Sequence, residues 1–154
     1  MDAFDRPRTL DALKASGYRP QTVRAELRRA VMRRLAAREP ILPGIIGYDD
    51  SVVPEIENAI LAGHHIVFLG ERGQGKSRII RGLVELLDPA VPAIEGCPIN
   101  DEPLAPLCRA CRRRVADEGD AVAVAWITRD VRYGEKLATP DVSMADLVGE
   151  VDPI

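Results

Sequence analysis

An α/β fold is what this sequence predicts, and three adjacent segments carry the prediction. His65-Ile66-Val67-Phe68-Leu69 is a short apolar run rich in strand formers. Gly70-Glu71-Arg72-Gly73-Gln74-Gly75-Lys76-Ser77 follows it and fits the pattern G-x-x-x-x-G-K-[ST]. From Arg78 to Leu87 the apolar residues Ile79, Ile80, Leu83, Val84 and Leu87 recur at helical spacing. A strand, a glycine loop and a helix, in that order, form the context in which the pattern works as a P-loop.

The chemistry explains the residue types. Backbone N–H groups must wrap a triphosphate, and glycines let the main chain turn and approach without a Cβ clash. The helix that follows points unpaired N–H groups and a partial positive charge at the same anion. A nucleoside triphosphate is therefore the expected ligand of Gly70 to Ser77. Lys76, the candidate catalytic residue, would reach the β- and γ-phosphates, and the Ser77 hydroxyl would ligate Mg²⁺.

Before the loop, residues 1–19 read as a poorly ordered leader, or at most one short helix near Leu10 to Ala15. Thr22 can cap a helix running to about Arg38, with Val23, Leu27, Ala30, Val31 and Leu35 on one face. Pro40 and Pro43 force an extended linker, and Gly44 and Gly47 mark a turn into Tyr48-Asp49-Asp50. Ser51 is a good N-cap for a second helix that tolerates Pro54 in its first turn, buries Val52, Val53, Ile56 and Ile60, and stops at Gly63.

After the loop helix, which should end before Pro89, the chain changes in kind. Pro89, Pro92, Pro98, Pro103 and Pro106 lie too close together for regular structure, so residues 88–120 read as a loop or insertion with one short basic helix from Arg109 to Glu118. A second strand is expected over Ala121 to Ile127, then a loop from Gly134 to Thr139. Asp141 to Gly149 carries apolar residues at Val142, Met144, Leu147 and Val148. Domain organisation follows: a basic helical leader over 1–39, and a nucleotide-binding unit over 40–154 that contains the insertion.

Composition sets the bounds. The chain has 154 residues, 46% hydrophobic and 29% charged, with a net charge of −3. A domain of that size buries about 68–70% of its unfolded surface. No apolar run approaches the roughly 20 residues needed to span a bilayer, and Met1-Asp2-Ala3-Phe4-Asp5-Arg6 has no apolar core behind its charges, so neither an anchor nor a secretory signal is read. Three cysteines argue for a reducing compartment, with cytoplasm the default. Residues 1–39 hold ten Lys/Arg against five Asp/Glu, a net of +5 that leaves −8 on the remainder. Arg24, Arg28, Arg29, Arg33, Arg34 and Arg38 share one expected helix. No aromatic residues interleave with them to stack on bases, so a solvated face is favoured over a nucleic-acid-binding arm.

Cys108-Arg109-Ala110-Cys111 is a C-x-x-C, with Cys97 eleven positions before it. A structural Zn²⁺ site wants four ligands, and the fourth would be Asp101, His64, His65 or a group outside this chain. A proline-rich insertion of low apolar content gains most from such a staple. Redox chemistry and plain reduced thiols are the other readings.

The surroundings of the P-loop resemble a particular group. Leu42-Pro43-Gly44-Ile45-Ile46-Gly47-Tyr48-Asp49, a helix, and then His65 to Ser77 resemble the opening of the AAA+ ATPases, in the branch with the magnesium-chelatase ATPase subunit and the MoxR-like proteins. Leu137-Ala138-Thr139-Pro140-Asp141-Val142 and Ala145-Asp146-Leu147-Val148-Gly149 are similar to the segment that these proteins carry before their second acidic motif. The resemblance covers about residues 40–154. It implies a three-layer parallel sheet flanked by helices, incomplete in this chain, that binds ATP at the subunit interfaces of a homo-oligomeric ring. Hydrolysis in that ring would remodel a partner protein or drive metal insertion. By matching position, Gly70, Glu71, Arg72, Gly73, Gln74, Gly75, Lys76 and Ser77 bind the phosphates, and Ile45, Ile46 and Gly47 lie against the adenine.

Family members also need a Walker B acidic pair at a strand end, a polar sensor and an arginine finger. Val115-Ala116-Asp117-Glu118 is too short, and too basic before it, to supply the acidic pair. The chain reaches Asp152-Pro153-Ile154 before those elements are expected, and so reads as the N-terminal part of a longer protein, whether a truncated product or a fragment. Three functions follow as expectations: an ATP hydrolase of this type, a nucleotide-binding module without catalysis, or a DNA-associated AAA+ regulator.

Overall fold

Two apolar clusters organise the chain in the computed structural model, which describes residues 6–137 and 139–149. The first gathers α2 (Val23–Ala36), α3 (Val52–Ala62) and α4 (Lys76–Val84) around Val31, Ile41, Leu42, Ile56, Ile60 and Ile79. The second joins α1 (Leu10–Ala15), β1 (Ala90–Ile94), α5 (Arg109–Glu118) and the residues before β2 (Val124–Thr128), through Leu10, Ile94, Cys97, Cys111 and Val122. The helices of residues 1–39 are thus shared between the two clusters. Burying each such aliphatic side chain contributes about 1.5–3 kcal/mol.

Local signals position the first cluster. Thr22 caps α2 by accepting from the Ala25 N–H at 3.2 Å. In α3 the C-terminal turn closes at Gly63, with Gly63 N–H donating to Ile60 and His64 N–H to Ala59, at 3.1 and 2.9 Å. Ser51 makes no side-chain cap. The Tyr48 carbonyl serves instead, accepting from Val53 N–H at 3.0 Å. α4 starts at Lys76 and ends at Val84, earlier at both ends than its apolar spacing suggests.

The sheet differs from the parallel one expected. Among the described residues it has two strands, β1 and β2, paired antiparallel with Ala90 opposite Thr128 and Ile94 opposite Val124. His65 to Leu69, read as the strand before the P-loop, runs without a ladder partner among the described residues. It keeps a strand's alternation: Ile66 and Phe68 pack on the first cluster, while Val67 and Leu69 are 79% and 88% exposed. Open grooves of about 310 and 370 Å³ flank the segment, against α3 on one side and against α2 on the other. The physical reason for the miss is that strand propensity is local, whereas a ladder needs a neighbour.

The proline-dense stretch also differs from expectation. It contains β1, with the buried Pro92 opposite Trp126. A two-stranded ribbon has outer edges where a missing N–H is tolerated. The leader is ordered over its described part: Thr9 caps α1 and bridges Ala123, Val124 N–H donates to Arg8 at 2.9 Å, and the Trp126 indole donates to Pro7 at 2.8 Å. The second strand begins later than expected, at Val124. The pattern over Asp141 to Gly149 condenses to α6 (Ala145–Val148), preceded by Ser143, whose N–H and hydroxyl both donate to Asp146 at 2.9 Å. Ala138 and residues 150–154 lie outside the described residues. No helix among the described residues is long and apolar enough to cross a membrane.

Candidate functional site

The glycine loop is built by its backbone. Gly73 and Gly75 hold φ of 84° and 75°, the left-handed region where a Cβ is strained. Gly75 is the N-cap of α4 and offers no side chain to it. The first helical bond runs from Ile79 N–H to the Gly75 carbonyl at 2.9 Å, so the N–H groups of Lys76, Ser77 and Arg78 precede the helical ladder. Arg72 through Arg78 line an open cavity of about 460 Å³. Lys76 Nζ folds back across the loop, donating to the carbonyls of Gly70 at 2.9 Å and Glu71 at 2.5 Å. That ammonium is held over the space that the loop encloses, by acceptors that an anion can replace.

The turn over residues 44–48 sits beside this loop. The Tyr48 hydroxyl donates to the Gln74 carbonyl at 3.1 Å. Ile45 packs on the first cluster, Ile46 is 88% exposed, and Gly47 is exposed. Of the three residues matched to an adenine pocket, Ile46 alone presents a large apolar side chain to solvent, beside the glycine loop.

The three cysteines come together in the second cluster. Their sulfurs and an Asp101 carboxylate oxygen all lie within 4.8 Å of one another. Cys97, Asp101 and Cys111 are buried and Cys108 is half-buried. Asp101 accepts from Leu107 N–H with both oxygens at 2.9 Å, from Cys108 N–H at 2.8 Å and from Glu102 N–H at 3.1 Å. Burial alone would raise its pKa, but these donors hold it below the usual carboxylate value. Burial pushes the Cys111 thiol up to about 12, and its neighbours Cys108 and Cys97 add to the rise. Burial also acts to raise Cys97, yet donation from the Asp101 and Ile99 backbone leaves it below the ordinary thiol. Of the fourth ligands weighed from sequence, Asp101 is the one brought to the thiols. His64 and His65 line the grooves beside α3 and α2, where Arg24 donates to His65 Nε2 at 2.6 Å.

Several of the other acids and arginines make structural contacts. Asp120 pairs with Lys14, and Glu118 with Arg114 at 3.2 Å. Arg29 pairs with Asp88, and Arg34 donates to the Pro40 and Ile41 carbonyls at 3.0 and 3.3 Å. The buried Glu26 receives Arg132 through two bonds at 2.9 and 2.5 Å, and also accepts from the Asp88 N–H. Sequence reading missed this pair. A charged residue at i−4 from Ala30 on an otherwise apolar stripe was the available signal.

No family model and no solved structure matches the chain. Curated proteins do. The chain is 39% identical over 49 residues to a magnesium-chelatase subunit ChlI homolog of Methanocaldococcus jannaschii, a match covering 32% of this chain and 13% of that protein. It is 32% identical over 91 residues to the chloroplastic magnesium-chelatase subunit ChlI-2 of Arabidopsis thaliana, covering 55% and 21%. It is 35% identical over 68 residues to the magnesium-chelatase 38 kDa subunit of Rhodobacter capsulatus, covering 42% and 19%. The chain thus matches about a fifth or less of the length of these relatives.

Proposed function

We propose that this chain is the ATP-binding, N-terminal part of an AAA+ ATPase of the magnesium-chelatase and MoxR-like type, with a P-loop NTPase fold over residues 40–154. The observation that carries the reading is the loop from Gly70 to Ser77, with left-handed glycines, an uncapped helix start and Lys76 folded over its cavity. The partial similarity to magnesium-chelatase subunits supports it.

The donor set fits a triphosphate. The free N–H groups at the start of α4 and the Lys76 ammonium converge on one cavity, and both prefer an anion. Lys76 would exchange the Gly70 and Glu71 carbonyls for β- and γ-phosphate oxygens. Ser77 would hold Mg²⁺, which when bound neutralises charge on those oxygens. Ile45, Ile46 and Gly47 would meet the adenine, with Tyr48 fixing their turn to the loop. In the complete protein, hydrolysis in a cytoplasmic homo-oligomeric ring would remodel a partner or drive metal insertion. Thermal unfolding tests the reading: Mg·ATP at a hundredfold excess over Kd should stabilise the fold by about 2.7 kcal/mol and so raise the midpoint. An unmoved midpoint would overturn it.

A second reading, nucleotide binding without turnover by this chain alone, is favoured by where the acids sit. Glu118 and Asp120 are tied to Arg114 and Lys14 on the exposed surface of α5 and the turn after it, and Asp117 lies beside them at the end of α5. Phosphoryl transfer rests on positioning and charge stabilisation, and an arginine finger alone is worth about 10³–10⁵ in rate. Phosphate release should stay near background. Steady turnover lost in Lys76→Ala would instead place a catalytic acid in this chain.

A further inference from the structure

We propose that Cys97, Cys108, Cys111 and Asp101 form a closed, structural Zn²⁺ site that staples the β1 turn to the start of α5. Two backbone turns present the ligands. After β1 the chain reverses through Cys97 to Asn100, with Asn100 N–H donating to the Cys97 carbonyl at 3.1 Å and Asn100 at φ 51°. Ile94 N–H then donates to the Asp101 carbonyl at 2.9 Å, which returns Asp101 toward the end of β1. Cys108 is the N-cap of α5, and its sulfur accepts from Cys111 N–H at 3.2 Å. The C-x-x-C therefore wraps one helical start, with both sulfurs on the side of Cys97.

The distances suit a small tetrahedral ion. Zn–S bonds of about 2.3 Å put sulfurs about 3.8 Å apart, and the four ligand atoms already lie within 4.8 Å. Closing the site takes side-chain torsion rather than backbone movement. Three thiolates select a soft, tetrahedral ion such as Zn²⁺ over the hard cations that carboxylates alone would hold. Asp101 can be the fourth ligand because the Leu107 N–H is shared between its two oxygens, and settling that donor on one of them leaves a lone pair on the other for the metal. With three of the four ligands buried, no position is open for substrate, so the role is structural. The cluster around it holds few large apolar groups, chiefly Leu10, Ile94 and Val122, and a metal would add the stability that so small a core lacks. This inference is independent of the nucleotide reading, which rests on the other cluster.

Elemental analysis of the full chain, produced in zinc-supplemented medium and desalted, should find close to one zinc per chain. Replacing the zinc with Co²⁺ should give the intense visible bands of a tetrahedral site and a thiolate-to-cobalt charge-transfer band. Cys108→Ser, at the half-buried ligand, should weaken zinc binding on the order of 100-fold and reduce the charge-transfer band by about a third, for two thiolates in place of three. Asp101→Asn should weaken zinc binding while keeping the full charge-transfer intensity. Folding of each variant is checked by circular dichroism. A folded parent chain free of zinc, whether its cysteines are reduced or paired in a disulfide, overturns the proposal. So does Cys108→Ser that binds zinc as tightly as the parent.

Discussion

Arg132 closes a two-pronged ion pair on Glu26, spanning 106 positions to join the turn after β2 to the buried face of α2. Glu26 also receives the Asp88 N–H at the end of the α4 segment, and Arg29, one turn further along α2, pairs with Asp88. The hydrogen bonds to Glu26 hold the Arg132 pKa above its ordinary value despite burial. Three chain segments meet at this one carboxylate.

Removing it should therefore unfold more than a local contact. Glu26→Ala leaves a largely buried guanidinium without its partner, a loss of about 3–5 kcal/mol. Urea denaturation measures it, and Glu26→Gln, which keeps an acceptor, should lose less. A Glu26→Ala chain within about 0.5 kcal/mol of the parent would show that Arg132 and Asp88 find other partners.

Tyr48→Phe tests the contact between the turn and the loop. It removes one hydroxyl bond to the Gln74 carbonyl and little else. A net hydrogen bond is worth about 1 kcal/mol, so the chain should lose about that much stability, and Mg·ATP, which must then order the turn itself, should bind up to about fivefold more weakly. Competition against a fluorescent nucleotide reads the change, and unaltered affinity means that the turn does not order the loop.

Glu135 should titrate far below a free carboxylate. Arg81 holds it through bonds of 2.9 and 2.7 Å, Tyr133 donates at 2.9 Å, and its pKa falls from 4.5 to about 2. Because the folded value is depressed, the stabilisation is present above pH 4.5 and is lost as pH falls toward about 2. Both side chains are exposed, so the effect on overall stability is small. Carboxyl NMR should show the low midpoint in the parent and a normal one in Arg81→Ala.

What could be read from sequence was what short stretches decide. Thr22, Gly63 and the glycines of the loop act on their own neighbours, and their helix ends and turns lie where the residues suggest. Ser51 fails as a cap because the Tyr48 carbonyl, three positions back, takes its place. His65 to Leu69 has a strand's alternation, but pairing depends on a partner that no local pattern reveals. Pro92 hid β1, since proline argues against a strand until the opposing Trp126 is known. Glu26 looked like one more charge on an arginine-rich helix, because its partner lies far along the chain. For the cysteines, spacing fixed the pair Cys108 and Cys111, while the choice of Asp101 over His64 and His65 needed the folded turns.

The central claim, that Gly70 to Ser77 cradle ATP through Lys76, is tested most directly by calorimetric titration of Mg·ATP into the parent chain and into Lys76→Ala. Among the described residues Lys76 bonds to loop carbonyls alone, so the variant should keep its fold by circular dichroism. The parent should bind saturably, at close to one nucleotide per chain, and the variant should show no measurable binding. Equal affinity in the two chains, or no binding by the parent, would contradict the claim.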